Sequence, residues 1–471
     1  MFENISQYPL LSLILIFVLI ALVMIRTQSK LWQMWFLAVV LIYPVAFMGG
    51  HLVAKIVFVI MLLMGIFLIK GVRLSVFTKP IFNAMRKTLP PIGVTEKIAI
   101  EAGDVWWDAE LFQGNPNWQE LSDLEATQLT EEEQLFVNNE VETLCSMIDS
   151  YKLLSEQDLP EEAWRYIFDN GFLGIIIPKE YNGLGFSHFA HATIVGRLSS
   201  ASQLLGISVM VPNSLGPGEL LLRYGTDDQK QHYLPRLAQG KEIPCFGLTS
   251  TVAGSDAGSL VDNGIVCYGE YEGEQVLGLR LNWEKRYITL APIATVVGLA
   301  FKAYDPEGLL PEDHPLHGKN DLGITCALIP RKTQGVKIGN RHLPVGEPFQ
   351  NGPIIGEDVF IPMDWVIGGD KMLGHGWRML MECLSVGRGI SLPVTGASAT
   401  QAMLLTTSVY TQTREQFGIP IAYMEGIQEK LATLATNAYR ATANINLSTW
   451  ALDAGHRPSI ISAIVKYRNT Q

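Results

Sequence analysis

Pro244-Cys245-Phe246-Gly247-Leu248-Thr249-Ser250-Thr251-Val252-Ala253-Gly254-Ser255-Asp256 begins as a short apolar run and ends in a small, polar, glycine-containing loop. The run reads as a buried strand and the loop as its exit. Gly254 carries no Cβ, so the loop can bring backbone N–H groups and hydroxyls against a bound ligand. Loops of this composition also serve as plain surface turns, and the segment alone leaves both readings open. The flanking sequence decides between them.

Upstream, the apolar spacing is helical. Thr130 followed by Glu131, Glu132 and Glu133 predicts a capped helix start with acids in the first turn. The same period continues through Phe136, Val141, Leu144 and Ile148, then Trp164, Ile167 and Phe168. Residues 171–186 form a short apolar run closed by a turn-rich loop, and Thr226 is the expected cap of a further helix. From about residue 244 to 365 the period becomes two. Strands are expected at 265–271, 275–281, 287–290, 295–304 and 324–329 of an antiparallel β-domain, with 305–321 as a surface loop. From Met372 onward the period is helical again, through Trp377, Leu380 and Cys383 and later Ile427, Leu431, Leu434 and Ala438. The fold class is therefore α+β: an α-domain at 131–243, a β-domain at 244–365 and a helical domain at 366–471.

The chain has 471 residues and a formal net charge of −11, with no long basic run beyond the first 90 residues, so no nucleic-acid partner is expected. Its mean hydropathy of +0.20 comes almost entirely from the N-terminus. Residues 8–25, 31–48 and 52–69 are three apolar runs of 18 residues, broken only by Lys55, and each is long enough to span a bilayer. Arg26 and Lys30 lie between the first two runs, and Lys70, Arg73, Lys79, Arg86 and Lys87 follow the third. Three spans place both groups on the cytoplasmic side. The reading is a membrane anchor at 1–75 and an irregular collar at 76–130, with membrane lipid as a partner and the remainder facing the cytoplasm.

Five widely spaced cysteines make no C-x-x-C pair, which points to reduced thiols. His188 and His191 sit three apart without further ligands and read as ordinary packing or surface histidines, so no metal is expected. Neither G-x-G-x-x-G nor a P-loop occurs. A dinucleotide bound here would need another scaffold.

The ordered set of motifs resembles the acyl-CoA dehydrogenase family. The opening loop is similar to that family's T-E-P-x-A-G-S-D, written here Thr249-Ser250-Thr251-Val252-Ala253-Gly254-Ser255-Asp256. Pro178-Lys179-Glu180-Tyr181-Asn182-Gly183-Leu184-Gly185-Phe186 precedes it, as does Tyr224-Gly225-Thr226 with Gln229-Lys230 and Leu234-Pro235. Lys285-Arg286-Tyr287-Ile288-Thr289, Gln334-Gly335-Val336, Arg388 and Arg414-x-x-Phe417-Gly418 follow it. The N-terminal spans and Trp106-Trp107 resemble the long, membrane-associated branch of bacterial fatty-acid β-oxidation. That branch implies the bacterial inner membrane as the location.

What the resemblance implies is α,β-dehydrogenation of an acyl-CoA to trans-2-enoyl-CoA with FAD as cofactor. Electron-transfer flavoprotein or a similar acceptor would follow, in a homo-oligomer. By position, Leu248, Thr249, Gly254 and Ser255 would line the flavin site, with Tyr287, Ile288 and Thr289 beside the isoalloxazine. Arg414 would reach a pyrophosphate, that of a neighbouring subunit, and Gln428 would be a further flavin contact. Ser255 and Arg388 would meet the CoA substrate. Ser250 and Thr251 replace the family's Glu and Pro, which removes a fixed φ from the loop. The family's catalytic Glu would fall beyond Gln471. Glu425 and Glu429 read as helix-surface residues, and no catalytic residue is assigned. Little turnover is therefore expected of these 471 residues; a non-catalytic remnant and an oxygen-using oxidase are the alternatives.

Overall fold

The computed structural model describes residues 35, 36, 38–40, 43, 52–65, 69–214 and 216–471. They form two compact units, Met1–Ile92 and Gly93–Gln471.

In the first unit, a helix runs over Leu52–Gly65. The Trp35 indole N–H donates to the Met61 carbonyl at 2.8 Å, and a Cβ on Gly65 would come within 2.1 Å of the Trp35 ring. Among the described residues no helix is long and apolar enough to cross a membrane. The expected span at 8–25, and most of that at 31–48, lie outside the described residues; Leu52–Gly65 is the greater part of the third. Residues beyond the third run, expected to be irregular, are instead helical: Lys70–Arg73, a π-helical turn Leu74–Thr78, then Lys79–Arg86. The π turn is the physical answer to Pro80, whose ring would clash with the carbonyl four residues back. Lys79 accordingly bonds the carbonyl of Leu74, five residues back.

The second unit begins with short helices, and its helical layer follows. Thr130 caps Glu131–Phe136 in a capping box with Glu133, as its sequence predicts. Glu133 also accepts the N–H of Ser187 at 2.7 Å, tying this helix to the start of α1 (His188–Ala201). Burial works to raise the Glu133 pKa, but the backbone donors of Ser187 and Thr130 outweigh it and hold the carboxyl below its usual range. Helices α2 (Gln203–Ser214), α3 (Pro217–Tyr224) and α4 (Asp227–Ala238) complete the layer. Thr226 caps α4, again as predicted.

Seven strands follow: β1 (Pro244–Gly247), β2 (Asn263–Tyr271), β3 (Glu274–Thr289), β4 (Val296–Tyr304), β5 (Asp321–Pro330), β6 (Val336–Ile338) and β7 (Asn351–Pro362). They form one sheet in the order β1-β4-β2-β3-β7-β6, with β5 on the other side of β4. The sheet is mixed, not purely antiparallel: β4 runs parallel to both β1 and β2. The β2–β3 hairpin lies between β1 and β4 in sequence and supplies the crossover that parallel neighbours need. The strands expected at 275–281 and 287–290 are one 16-residue strand, β3, kept continuous by irregularities between Leu281 and Trp283 and between Lys285 and Ile288. The insert 305–321 is not simply superficial. Asp305 accepts the N–H groups of Leu309 and Leu310 at 2.9 and 3.0 Å, Leu310 is buried, and His314 bonds the Asp370 carbonyl.

Three helices close the unit: α5 (Gly376–Thr413), α6 (Glu425–Asp453) and α7 (Ser459–Asn469). The link between α5 and α6 is a two-residue ribbon, Glu415–Gln416 against Ile419–Pro420, turned by Phe417 and Gly418 at positive φ. At the other end of α6, Asp453 accepts the N–H groups of His188 and Phe189 at 2.8 and 3.1 Å, a carboxylate on the positive end of α1. His191 is buried and burial pushes its pKa to about 3; it is a neutral packing residue, in keeping with its reading from sequence. Val195 and Met210 from the helical layer, Trp283 and Phe301 from the sheet, and Ile390 and Ile445 from the last helices share one core. The β-sheet thus shares its core with both helical layers.

Candidate functional site

The loop after β1 is fastened to β3. The Thr249 carbonyl accepts the N–H of Arg286 at 3.1 Å, Ser250 bridges Lys285, and the Ser250 N–H closes a tight turn on the Ala253 carbonyl. Beneath the loop, the Lys285 ammonium donates to the Leu248 carbonyl at 3.0 Å and to Asp262 Oδ2 at 2.5 Å. Both side chains of this ion pair are essentially inaccessible, at 0% and 2% exposure. Burial pushes the Lys285 pKa down, and Asp262 opposes the shift. The other Asp262 oxygen accepts the Glu284 N–H at 3.0 Å. A Cβ on Gly247 would stand 3.1 Å from Lys285 Cγ, so the lysine stem packs directly under the loop's root.

The alternation along β3 explains how Lys285 comes to lie inside. Leu281, Trp283 and Lys285 are buried while Asn282 and Glu284 face out. A lysine on the inward phase needs a buried partner; sequence reading missed it, and that phase is the signal that could have found it. Just past it, the bulge swings Tyr287 to a φ of 60° and leaves its ring half-exposed. The Arg286 guanidinium lies over that ring, 4.4 Å from its centre. Ile288, in contrast, is buried in the core shared by sheet and helices, so only its backbone can face a ligand; Thr289 is half-buried.

The residues present fit a flavin dinucleotide. The Ser250 hydroxyl is buried with no hydrogen-bond partner, Thr249 is half-buried, and Gly254 and Ser255 are exposed. A Cβ on Gly254 would meet nothing within 4 Å. The protein's own packing does not demand glycine there, and the space beside it is open. Hydroxyls, backbone donors and an aromatic face therefore converge at one edge of the sheet.

The remaining expected site residues lie elsewhere. A Cβ on Gly258, at the loop's end, would come within 3.9 Å of the Trp377 ring in the first turn of α5. Arg414 follows the last residue of that 38-residue helix, exposed. At about 1.5 Å per residue, some 55 Å of helix separates it from Trp377. Gln428, exposed in the first turn of α6, shares the Arg414 end. The structure thus brings together Leu248, Thr249, Gly254, Ser255 and Tyr287–Thr289, and separately Arg414 with Gln428. Arg388 sits midway along α5, half-buried. Glu425 and Glu429 are exposed on α6.

Between α3 and α5 lies a polar seam that sequence reasoning missed. The buried Glu382 carboxylate accepts from Tyr224 and Arg223, and from Arg378 Nε at 2.8 Å. Burial favours its neutral form, but these donors outweigh burial and hold its pKa low. The seam borders a cleft of about 440 Å³. Glu219, one turn before Arg223, is the opposite case: burial pushes its pKa to about 7, against the pull of Arg223. A carboxyl raised on folding contributes stability fully present below its unfolded value and lost as pH rises through the folded one. Wild-type stability should therefore fall by about 2 kcal/mol between roughly pH 4.5 and 7 through this group, and Glu219→Gln should remove that fall. Urea unfolding across that range checks it; parallel curves for both proteins would refute it.

Residues 123–241 match the acyl-CoA dehydrogenase N-terminal domain, and residues 374–471 match the C-terminal domain. An acyl-CoA dehydrogenase of Bacillus subtilis is 30% identical over 286 residues, covering 60% of this chain and 69% of that protein. A 3-(aryl)acrylate reductase of Clostridium sporogenes is 31% identical over 334 residues, 70% of this chain and 80% of its own. The chain belongs to the acyl-CoA dehydrogenase family. Butyryl-CoA dehydrogenase of Megasphaera elsdenii shares the fold, with a TM-score of 0.63 at 20% identity over 74% of this chain and 86% of that one. As a member of the acyl-CoA dehydrogenase family, the protein is an FAD-dependent oxidoreductase acting on CH–CH bonds. The mixed sheet with its helical layers is thus the family's fold.

Proposed function

We propose that this chain supplies the flavin and thioester cradle for α,β-dehydrogenation of a fatty acyl-CoA, as in β-oxidation. The observation that carries this reading is the loop Leu248–Ser255, pinned at its root by Lys285 and open on its ligand side. FAD, when bound, supplies the hydride acceptor for the substrate's β-carbon. The chain's own residues bind and orient. Thr249 and Ser250 offer hydroxyls, Tyr287 offers a ring face, and the backbone of Ile288 and Thr289 lines the edge of the sheet. Ser255 and Arg388 are assigned to the CoA thioester, Arg388 by its charge toward phosphate or carbonyl oxygen. Arg414 and Gln428 serve the site of a second subunit in a homo-oligomer. Electrons leave to electron-transfer flavoprotein or an equivalent acceptor. The apolar runs at 8–25, 31–48 and 52–69 hold the chain in the bacterial inner membrane, with residues 93–471 on the cytoplasmic side.

A second reading, reduction of a 2-enoyl substrate, is favoured by the likeness to the arylacrylate reductase. It uses the same cradle in the opposite direction. The test is detergent purification, a visible spectrum, and titration with saturated and 2-enoyl CoA thioesters, with products measured by mass. A flavin spectrum perturbed by saturated acyl-CoA supports the dehydrogenase cradle, and robust enoyl-CoA formation in the presence of an electron acceptor would overturn the expectation of little turnover. Product only from enoyl-CoA with a reductant favours the second reading, peroxide favours an oxidase, and protein that takes up no FAD overturns both.

A further inference from the structure

Residues 70–87 carry Lys70, Arg73, Lys79, Arg86 and Lys87, and no acidic residue occurs from Lys70 to Thr95. The structure makes most of this stretch helical, through the π turn that accommodates Pro80. At 100° per residue, Ile81, Phe82 and Met85 fall on one side of the Lys79–Arg86 helix. Lys79, Asn83, Arg86 and Lys87 fall on the other. Ile81, Phe82 and Met85 are 54%, 60% and 60% exposed, and Leu89 just past the helix is 65% exposed, so an apolar face lies open beside a polar one whose charges are all basic.

From this geometry we infer that the helix Lys79–Arg86 lies in plane on an anionic phospholipid surface and docks there. The proposal goes beyond the dehydrogenase reading and needs neither flavin nor substrate. Two features choose the occupant. The charge is of one sign, which suits a negatively charged headgroup layer and would repel the similarly basic face of a second copy. The helix also follows directly on the apolar stretch 52–69, so the chain arrives at it from a segment that lipid would solvate. Phe and Met on the buried side and Lys and Arg on the wet side are the distribution such helices require.

The test uses the full chain, once in detergent, once in phosphatidylcholine nanodiscs and once in discs containing one-third phosphatidylglycerol. Tryptic cleavage at Arg86 and Lys87 is timed against cleavage within 93–471 as an internal reference. Cleavage should slow by at least about tenfold in the anionic discs only, and 0.5 M NaCl should restore it, because salt screens the headgroup charge. Phe82→Asp with Met85→Asp should abolish the protection while the flavin spectrum stays unchanged. Protection that is the same in all three settings would mean that protein covers this face, and the proposal fails. Equal protection in both kinds of disc removes the anionic partner. Rapid cleavage throughout, including a chain that never enters the discs, removes the docking helix.

Discussion

Lys285→Met is expected to cost about 3–5 kcal/mol of stability, the largest single effect in the β-domain. The lysine is wholly buried, and the Asp262 carboxylate beside it is 2% exposed. Removing the ammonium strands that carboxylate without a counter-charge. It also strips the Leu248 carbonyl of its donor. The second loss matters for function, because Leu248 is the root from which the loop Thr249–Asp256 projects. Bound FAD should therefore fall along with the unfolding midpoint, and Lys285→Met purified below its melting temperature should be largely colourless. The double variant Lys285→Met with Asp262→Leu separates the two contributions. Replacing a buried pair by apolar residues of similar size is often near neutral for stability. The double variant should regain most of the midpoint and little of the flavin, since neither residue then holds the Leu248 carbonyl. Urea denaturation with parallel flavin spectra decides it. A Lys285→Met protein within 1 kcal/mol of wild type would show that the pair is not the loop's foundation.

The contrast between Lys285 and its surroundings shows what sequence can and cannot reveal here. Thr130 and Thr226 were legible as caps because capping is a local rule, and both caps formed, each in a capping box. The strand Pro244–Gly247 and the loop after it were legible for the same reason. Lys285 was not. It reads as a polar break between two strands, whereas the alternation through Leu281 and Trp283 runs on and carries it inside to a partner 23 residues away. Pro80 hid a helix in the same manner, because a proline rule applied without the π turn ends the helix there. Parallel pairing of β4 with β1 and β2 depends on which distant strands meet, and no local pattern encodes that. Glu219 owes its raised pKa to burial in the seam where α3 faces the α5 residues Glu382 and Cys383, some 160 residues on. In the candidate site, the motif order marked the loop residues. It could not show that Ile288 turns its side chain into the core, or that Arg414 stands a whole helix away.

That separation makes the second prediction. Arg414 is exposed at the end of α5, and some 55 Å of helix lies between it and the turn that meets the flavin loop. An arginine so placed lies far from its own chain's loop, so on the proposed reading its phosphate partner belongs to another copy. A charge-assisted hydrogen bond of about 1.5–3 kcal/mol gives Arg414→Ala a loss of roughly 10- to 150-fold in FAD affinity. Stability should be unchanged, since the side chain is exposed. Affinity alone does not prove sharing, but mixed subunits do. Gly254→Trp fills the open space beside the loop, where no protein atom lies within 4 Å of the added Cβ, and should block flavin without disturbing the fold. Each variant alone should bind FAD poorly. When differently tagged Arg414→Ala and Gly254→Trp subunits are co-expressed and the mixed dimers isolated, one site pairs an intact loop with an intact arginine from its neighbour. The other site carries both lesions. One FAD per mixed dimer is the expected result, whereas sites completed within a single chain would leave both defective and the dimer colourless.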